Sequence, residues 1–163
     1  MSKFDAVNYF ESACGNFGMR ISDRNLQQIY KICEDSCPYE TGGILIGRYS
    51  DDLKWAEITT ITGPPANSKR ARFAFVRSNR GIISLLKTLW DEHRYYLGEW
   101  HYHPNASPLP SLTDAKTMHE LSKSERLHCP EPILLIVGGN PFNWQEYVGV
   151  WVRGKEIELC RRQ

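Results

Sequence analysis

Glu99-Trp100-His101-Tyr102-His103-Pro104-Asn105-Ala106-Ser107-Pro108-Leu109-Pro110-Ser111-Leu112-Thr113-Asp114 decides how this 163-residue chain is read. Two histidines are separated by one residue, and an aspartate follows the second by eleven. The apolar, β-prone run before them, with Tyr95, Tyr96, Leu97 and Trp100, predicts a strand. Side chains two apart on a strand share a face, roughly 6.6 Å from each other along it. Two imidazoles so placed can converge on one ion at Zn–N distances of ~2.0–2.1 Å. Pro104 predicts the end of the strand, because proline cannot donate to the ladder. A loop with Pro108 and Pro110 follows, and Ser111 opens a helix from Leu112 to about Lys123, with Asp114 in its first turn. Two His and one Asp leave a fourth position open, as a catalytic Zn²⁺ site requires. Ser111-Leu112-Thr113-Asp114 also fits a capping box, with Ser111 as N-cap and Asp114 at N3.

His-x-His-Pro, six residues, then Ser-x-x-Asp resembles the signature of the JAMM (MPN-plus, Mov34/JAB) zinc metalloproteases. That family also carries a glutamate just before a Gly-containing apolar strand. Here the corresponding stretch is Pro38-Tyr39-Glu40-Thr41-Gly42-Gly43-Ile44-Leu45-Ile46-Gly47. The resemblance covers about residues 20–155, and the Glu99-Trp100-His101 lead-in is similar to the bacterial branch. The fold it implies is a cytidine-deaminase-like α/β/α sandwich. The roles it implies are His101, His103 and Asp114 as Zn²⁺ ligands, Glu40 as catalytic base and Ser111 as oxyanion donor. The substrate it implies is a ubiquitin-like protein or its conjugate. In the bacterial branch this includes the deconjugating peptidases of CBASS anti-phage operons, with their cGAS-like nucleotidyltransferases, and enzymes that trim sulfur-carrier proteins.

Composition agrees with an ordinary globular domain. Apolar residues make up 41% and charged residues 24%. A net charge of +1 gives no reason to expect nucleic acid or an anionic membrane as the main partner. No apolar run approaches the ~20 residues of a membrane span, and Met1-Ser2-Lys3-Phe4-Asp5 lacks the apolar core of a signal peptide. Five cysteines, at 14, 33, 37, 129 and 160, are then expected to be reduced thiols in a cytoplasm. Cys33 and Cys37 could be half of a second metal site, but no second Cys pair completes one, and the reading preferred is small buried hydrophobes.

In chain order, residues 1–20 are expected to be an N-terminal extension, with Phe4, Val7, Tyr9 and Phe10 on a short amphipathic helix within 1–17. Residues 21–163 are expected to be the metalloprotease domain. Ser22 caps a helix from Asp23 to about Ser36, with Leu26, Ile29, Tyr30 and Cys33 at helical spacing. Gly42 to Tyr49 reads as a buried strand and Trp55 to Ile61 as its antiparallel partner. Arg70 to Val76 reads as a third strand, where Lys69, Arg70 and Arg72 could face an acidic partner or form a solvated basic edge. A helix over Asn79 to His93, a strand over Pro132 to Val137, a turn at Gly138 to Pro141 and a closing hairpin about Arg153-Gly154 complete the pattern. His119 and His128 have no ligand spacing and are read as structural. The class is α/β, a single mixed-sheet domain flanked by helices.

Two other functions compete with the zinc peptidase. A zinc deaminase shares the implied architecture but needs His-x-Glu and Pro-Cys-x-x-Cys, whereas this chain has His-x-His and no Cys-x-x-Cys. A non-catalytic MPN scaffold would have lost the ligands that are present here.

Overall fold

The protein is described by a computed structural model that covers residues 5–64 and 80–163. The expected strand at Arg70 to Val76, with Lys69, Arg70 and Arg72, lies outside the described residues. The elements are β1 (Val7–Ser12), β2 (Gly18–Ser22), α1 (Asp23–Ser36), β3 (Gly42–Tyr49), β4 (Trp55–Ile61), α2 (Arg80–Asp91), β5 (Tyr95–Pro104), α3 (Leu112–Leu121), β6 (Ile133–Asn140), β7 (Asn143–Val152) and β8 (Lys155–Arg161).

The strands hydrogen-bond in the order β1-β2-β4-β3-β5-β6-β7-β8, and β1 returns to pair with β8. The domain is α/β as expected, but its sheet closes like a barrel in place of the expected cytidine-deaminase-like α/β/α sandwich. Only β2–β4 and β5–β6 are parallel; the other pairs are antiparallel. The physical reason for closure lies in residues 7–22. Instead of the expected helix within 1–17, they form a β1–β2 hairpin that bridges β4 on one side and β8 on the other. Phe10 buries itself in the same core as Met19 and Ile21, a pairing that a helix over 1–17 could not supply. A boundary between residues 20 and 21 falls inside β2.

Two apolar layers form on opposite faces of the sheet. The first gathers side chains from all eight strands around Leu26, Ile29 and Cys33 of α1. Ser22 caps that helix by accepting the Asn25 N–H at 3.1 Å. The second joins Ile44, Ile46, Leu134, Ile136, Tyr147 and Trp151 to Leu89 of α2 and to Met118 and Leu121 of α3. Strand alternation explains the split, since Leu45, Leu135 and Val148 belong to the first layer and their immediate neighbours to the second. The expected turn at Gly138 to Pro141 is shorter than anticipated. β6 runs on to Asn140, because Gly138 and Gly139 still pair with His103 and Pro104 on one side and with Gln145 and Trp144 on the other.

β5 departs from simple alternation, and the departure decides where the histidines point. Leu45 and Ile46 are consecutive on β3, but their partners on β5 are Gly98 and Tyr96, so Leu97 is an extra, bulged residue. Tyr96 lies in the second layer, whereas Leu97, Trp100 and Tyr102 lie in the first. Beyond the bulge the odd-numbered residues Glu99, His101 and His103 consequently face the side of the sheet that carries α3. Gly98 makes this possible with a φ of +148°, and a Cβ there would sit 1.9 Å from the Ile133 carbonyl oxygen. Gly98→Ala is expected to cost about 3 kcal/mol or more, a fall in Tm of roughly 6–12 °C for a domain of this size. A Tm within about a degree of wild type would show that the bulge is not held by this glycine.

Candidate active site

β5 ends with His101 and His103 on one face, and α3 begins directly above that face. Ser111 is the N-cap of α3. Its hydroxyl accepts the Asp114 N–H at 3.1 Å, while the Asp114 carboxylate accepts the Ser111 N–H at 2.7 Å. The capping box anticipated from the sequence is formed, and it turns the Asp114 side chain inward, leaving the residue only 1% exposed. The loop between β5 and α3 is strapped to the end of β6. Asn105 N–H donates to Gly139 O at 2.9 Å and Gly139 N–H to Ala106 O at 3.0 Å. Gly138 permits this approach, since a Cβ there would meet Ala106 O at 2.4 Å and Pro108 N at 2.7 Å.

His101, His103 and Asp114 are brought together. His101 Nδ1 lies 3.2 Å from Asp114 Oδ1, and His103 Nε2 lies 3.6 Å from Asp114 Oδ2. The two imidazoles thus meet opposite oxygens of one carboxylate. Among the described residues no three His, Cys, Asp or Glu side chains form a ready-made metal cluster. The donor chemistry nevertheless fits a zinc ion. Tetrahedral zinc with bonds of ~2.0–2.1 Å separates neighbouring ligand atoms by about 3.3 Å, and the two observed spacings bracket that value. The outer nitrogens of both rings are occupied as well: His103 Nδ1 is 3.2 Å from Ser107 O, and His101 Nε2 is 3.2 Å from Glu99 Oε2.

Burial raises the proton affinity of Asp114, but hydrogen bonding from His101 and from the N–H and hydroxyl of Ser111 more than offsets it. Together they hold the carboxyl well below the usual carboxylate range. The group is a permanent anion at neutral pH, as a cation ligand must be. Ser111 carries a second bond of consequence, because its hydroxyl donates to Asp114 Oδ2 at 2.7 Å.

Glu40 is exposed and lies in the connection between α1 and β3. Its position follows from strand register. Gly42 pairs with His101, and the Tyr102 N–H donates to Thr41 O at 2.9 Å, which carries the pairing one residue further. Glu40 is the residue immediately before Thr41 in this connection. Cys37 is exposed and Cys33 is buried, so the two do not form a pair of metal ligands or of core side chains. His119 lies in the last turn of α3, with Nδ1 3.0 Å from Gly154 O and Nε2 2.8 Å from Lys123 Nζ.

The residue that the motif reading passed over is Glu99. It is 1% exposed, as is His101. The available signal was its spacing: two positions before His101 on a strand places it on the same face.

A family model described as prokaryotic homologs of the JAB domain matches residues 22–150. The chain belongs to this family. A CD-NTase/cGAS isopeptidase of Enterobacter hormaechei is 39% identical over 132 residues, covering 81% of this chain and 73% of the relative. A probable metalloprotease of Sinorhizobium fredii is 32% identical over 113 residues, covering 64% of this chain and 66% of the relative. A solution structure of a Desulfitobacterium hafniense protein superposes with a TM-score of 0.62 at 17% identity, over 83% of this chain and 86% of that one. At that identity the likeness speaks for the fold alone. No helix among the described residues is long and apolar enough to cross a membrane.

Proposed function

We propose that this JAB-family protein is a zinc-dependent isopeptidase that cuts after the C-terminal residue of a ubiquitin-like protein. The observation that carries the proposal is the gathering of His101, His103 and Asp114 where β5 ends and α3 begins; extending the β3–β5 register two residues past the pairing of Gly42 with His101 would set Glu40 opposite His103. The name of the Enterobacter relative supports a conjugate with a cGAS-like nucleotidyltransferase as the target, and the name of the Sinorhizobium relative supports metal-dependent proteolysis.

His101, His103 and Asp114 would hold the ion. When bound, zinc supplies a water of lowered pKa and a Lewis acid for the scissile carbonyl. Glu40 takes the proton of the attacking water and delivers it to the nitrogen of the leaving lysine, which is why it must stand beside the metal ligands without being one. Ser111 stabilises the negative charge that develops on the carbonyl oxygen. In the resting geometry its hydroxyl proton is directed to Asp114 Oδ2. Donation to the substrate therefore requires that proton to turn away while the backbone half of the capping box holds the helix start.

The site chemistry does not by itself select a protein, so selection must come from surfaces around the cleft. The loop from Asn105 to Pro110 is one, and the 63–77 segment, mostly outside the described residues, is expected to be another. Remote contacts with the folded ubiquitin-like body would then position the bond. A fusion of the cognate ubiquitin-like protein to a reporter is expected to be cleaved with a higher kcat/KM than its tail peptide on the same reporter. Equal kcat/KM values would show that the body is not recognised, and cleavage of neither would overturn the substrate class.

A further inference from the structure

We infer that Glu99 is a positioning residue: its buried carboxylate engages His101 Nε2 and fixes that ring with Nδ1 turned toward Asp114, the orientation in which Nδ1 can ligate the ion. The inference rests on the metal-site reading above and goes beyond it in assigning a fourth, non-ligand residue to the site.

A neutral imidazole carries one proton on its two nitrogens, and an ionised carboxylate can only accept. His101 Nε2 lies 3.2 Å from Glu99 Oε2 and Nδ1 lies 3.2 Å from Asp114 Oδ1, so a carboxylate faces each nitrogen. When an ion takes the Nδ1 lone pair on the Asp114 side, the ring's one proton stands on Nε2, and Glu99 is the group placed to accept it. That is the arrangement a metal ligand needs, since the lone pair must face the ion. The second oxygen of Glu99 is also engaged, because the Tyr96 hydroxyl donates to Oε1 at 3.4 Å. Two anchors on one carboxylate restrain its rotation, and the restrained carboxylate restrains the ring.

The position is costly for a merely structural residue. Glu99 is 1% exposed, and a buried carboxylate is tolerated only when its hydrogen bonds are made. An apolar side chain would fill the same space without that cost. The bulge at Gly98 places Glu99, His101 and His103 on one face in sequence, so the outer partner of His101 comes from its own strand. His103 uses the Ser107 carbonyl for the same purpose. Carboxylates and backbone carbonyls that accept from the far nitrogen of a ligating histidine raise its basicity and fix its orientation.

The test compares wild type, Glu99→Gln and Glu99→Ala in three measurements: thermal melting, zinc affinity by chelator competition, and long-range ¹H–¹⁵N NMR of the imidazoles in zinc-loaded protein. Wild type is expected to show the Nε2–H tautomer at His101 and to bind zinc. Glu99→Ala is expected to mix tautomers and to bind zinc ~10–100-fold more weakly. Glu99→Gln, whose side-chain oxygen still accepts, is expected to keep the tautomer and lose less affinity, so the series remains readable if alanine impairs folding. An Nδ1–H tautomer in wild type overturns the inference. So does a folded Glu99→Ala with unchanged tautomer and affinity. Wild type that binds no zinc overturns the metal reading and this role with it. That result differs from failure of Glu99 alone, in which wild type and Glu99→Ala bind zinc equally well.

Discussion

Glu40→Ala is expected to lower turnover of a ubiquitin-like fusion by ~10² or more, within the 10²–10⁴-fold range of a lost general acid–base, while zinc content and Tm stay at wild-type values. The separation follows from where Glu40 sits. It precedes β3 on an exposed connection, it is not among the groups that meet Asp114, and no apolar layer depends on its side chain. Glu40→Gln should lose activity to a similar degree, because an amide of the same size cannot take up the proton. Turnover, metal analysis and melting on the same samples decide the matter. A variant with near wild-type turnover removes Glu40 from the mechanism. A variant that loses zinc along with activity would make it a ligand instead.

His103→Ala is expected to abolish cleavage by removing the metal. The wild-type domain should purify with about one zinc per chain, and the variant with a small fraction of that. The loss in affinity should exceed the ~10–100-fold typical of outer partners, because a ligand is deleted. His103 is a cleaner probe than Asp114. It sits at the end of β5 with its side chain 14% exposed, and its contacts are with Asp114 and the Ser107 carbonyl. Asp114→Ala would also remove the capping box of α3, at about 0.5–2 kcal/mol, and would confuse metal loss with helix loss. Full zinc occupancy in folded His103→Ala would refute the ligand assignment. A wild-type protein without stoichiometric zinc would favour the scaffold reading.

The local part of this site could be read from neighbouring residues. His101 and His103 share a face because a strand repeats every two residues, and Asp114 turns inward because Ser111 caps the helix three residues before it. Helix α1, strands β3 and β4 and the β7–β8 hairpin announce themselves in the same way, through periodicity, an N-cap and a Gly turn. Each of these signals lies within one element or between sequence neighbours.

What lay beyond that range needed pairings that no local pattern encodes. Val7, Tyr9 and Phe10 have a spacing compatible with a helix, and they became a strand because Met19 and Ile21 on one side and β8 on the other offered a ladder and a core. Closure of the sheet depends on β1 meeting β8, which are separated by most of the chain. Glu40 is brought toward β5 only by the register of β3, in which Gly42 pairs with His101. The face on which the histidines stand depends on one bulged residue, Leu97, and on the close approach of Gly98 to Ile133. Glu99, by composition an ordinary surface acid, is buried because that bulge turns it beneath α3 beside His101. Local sequence therefore determined which donors this protein carries and on which elements. The tertiary structure decided which of them meet, because register, bulge and closure are properties of strand pairs distant in the chain.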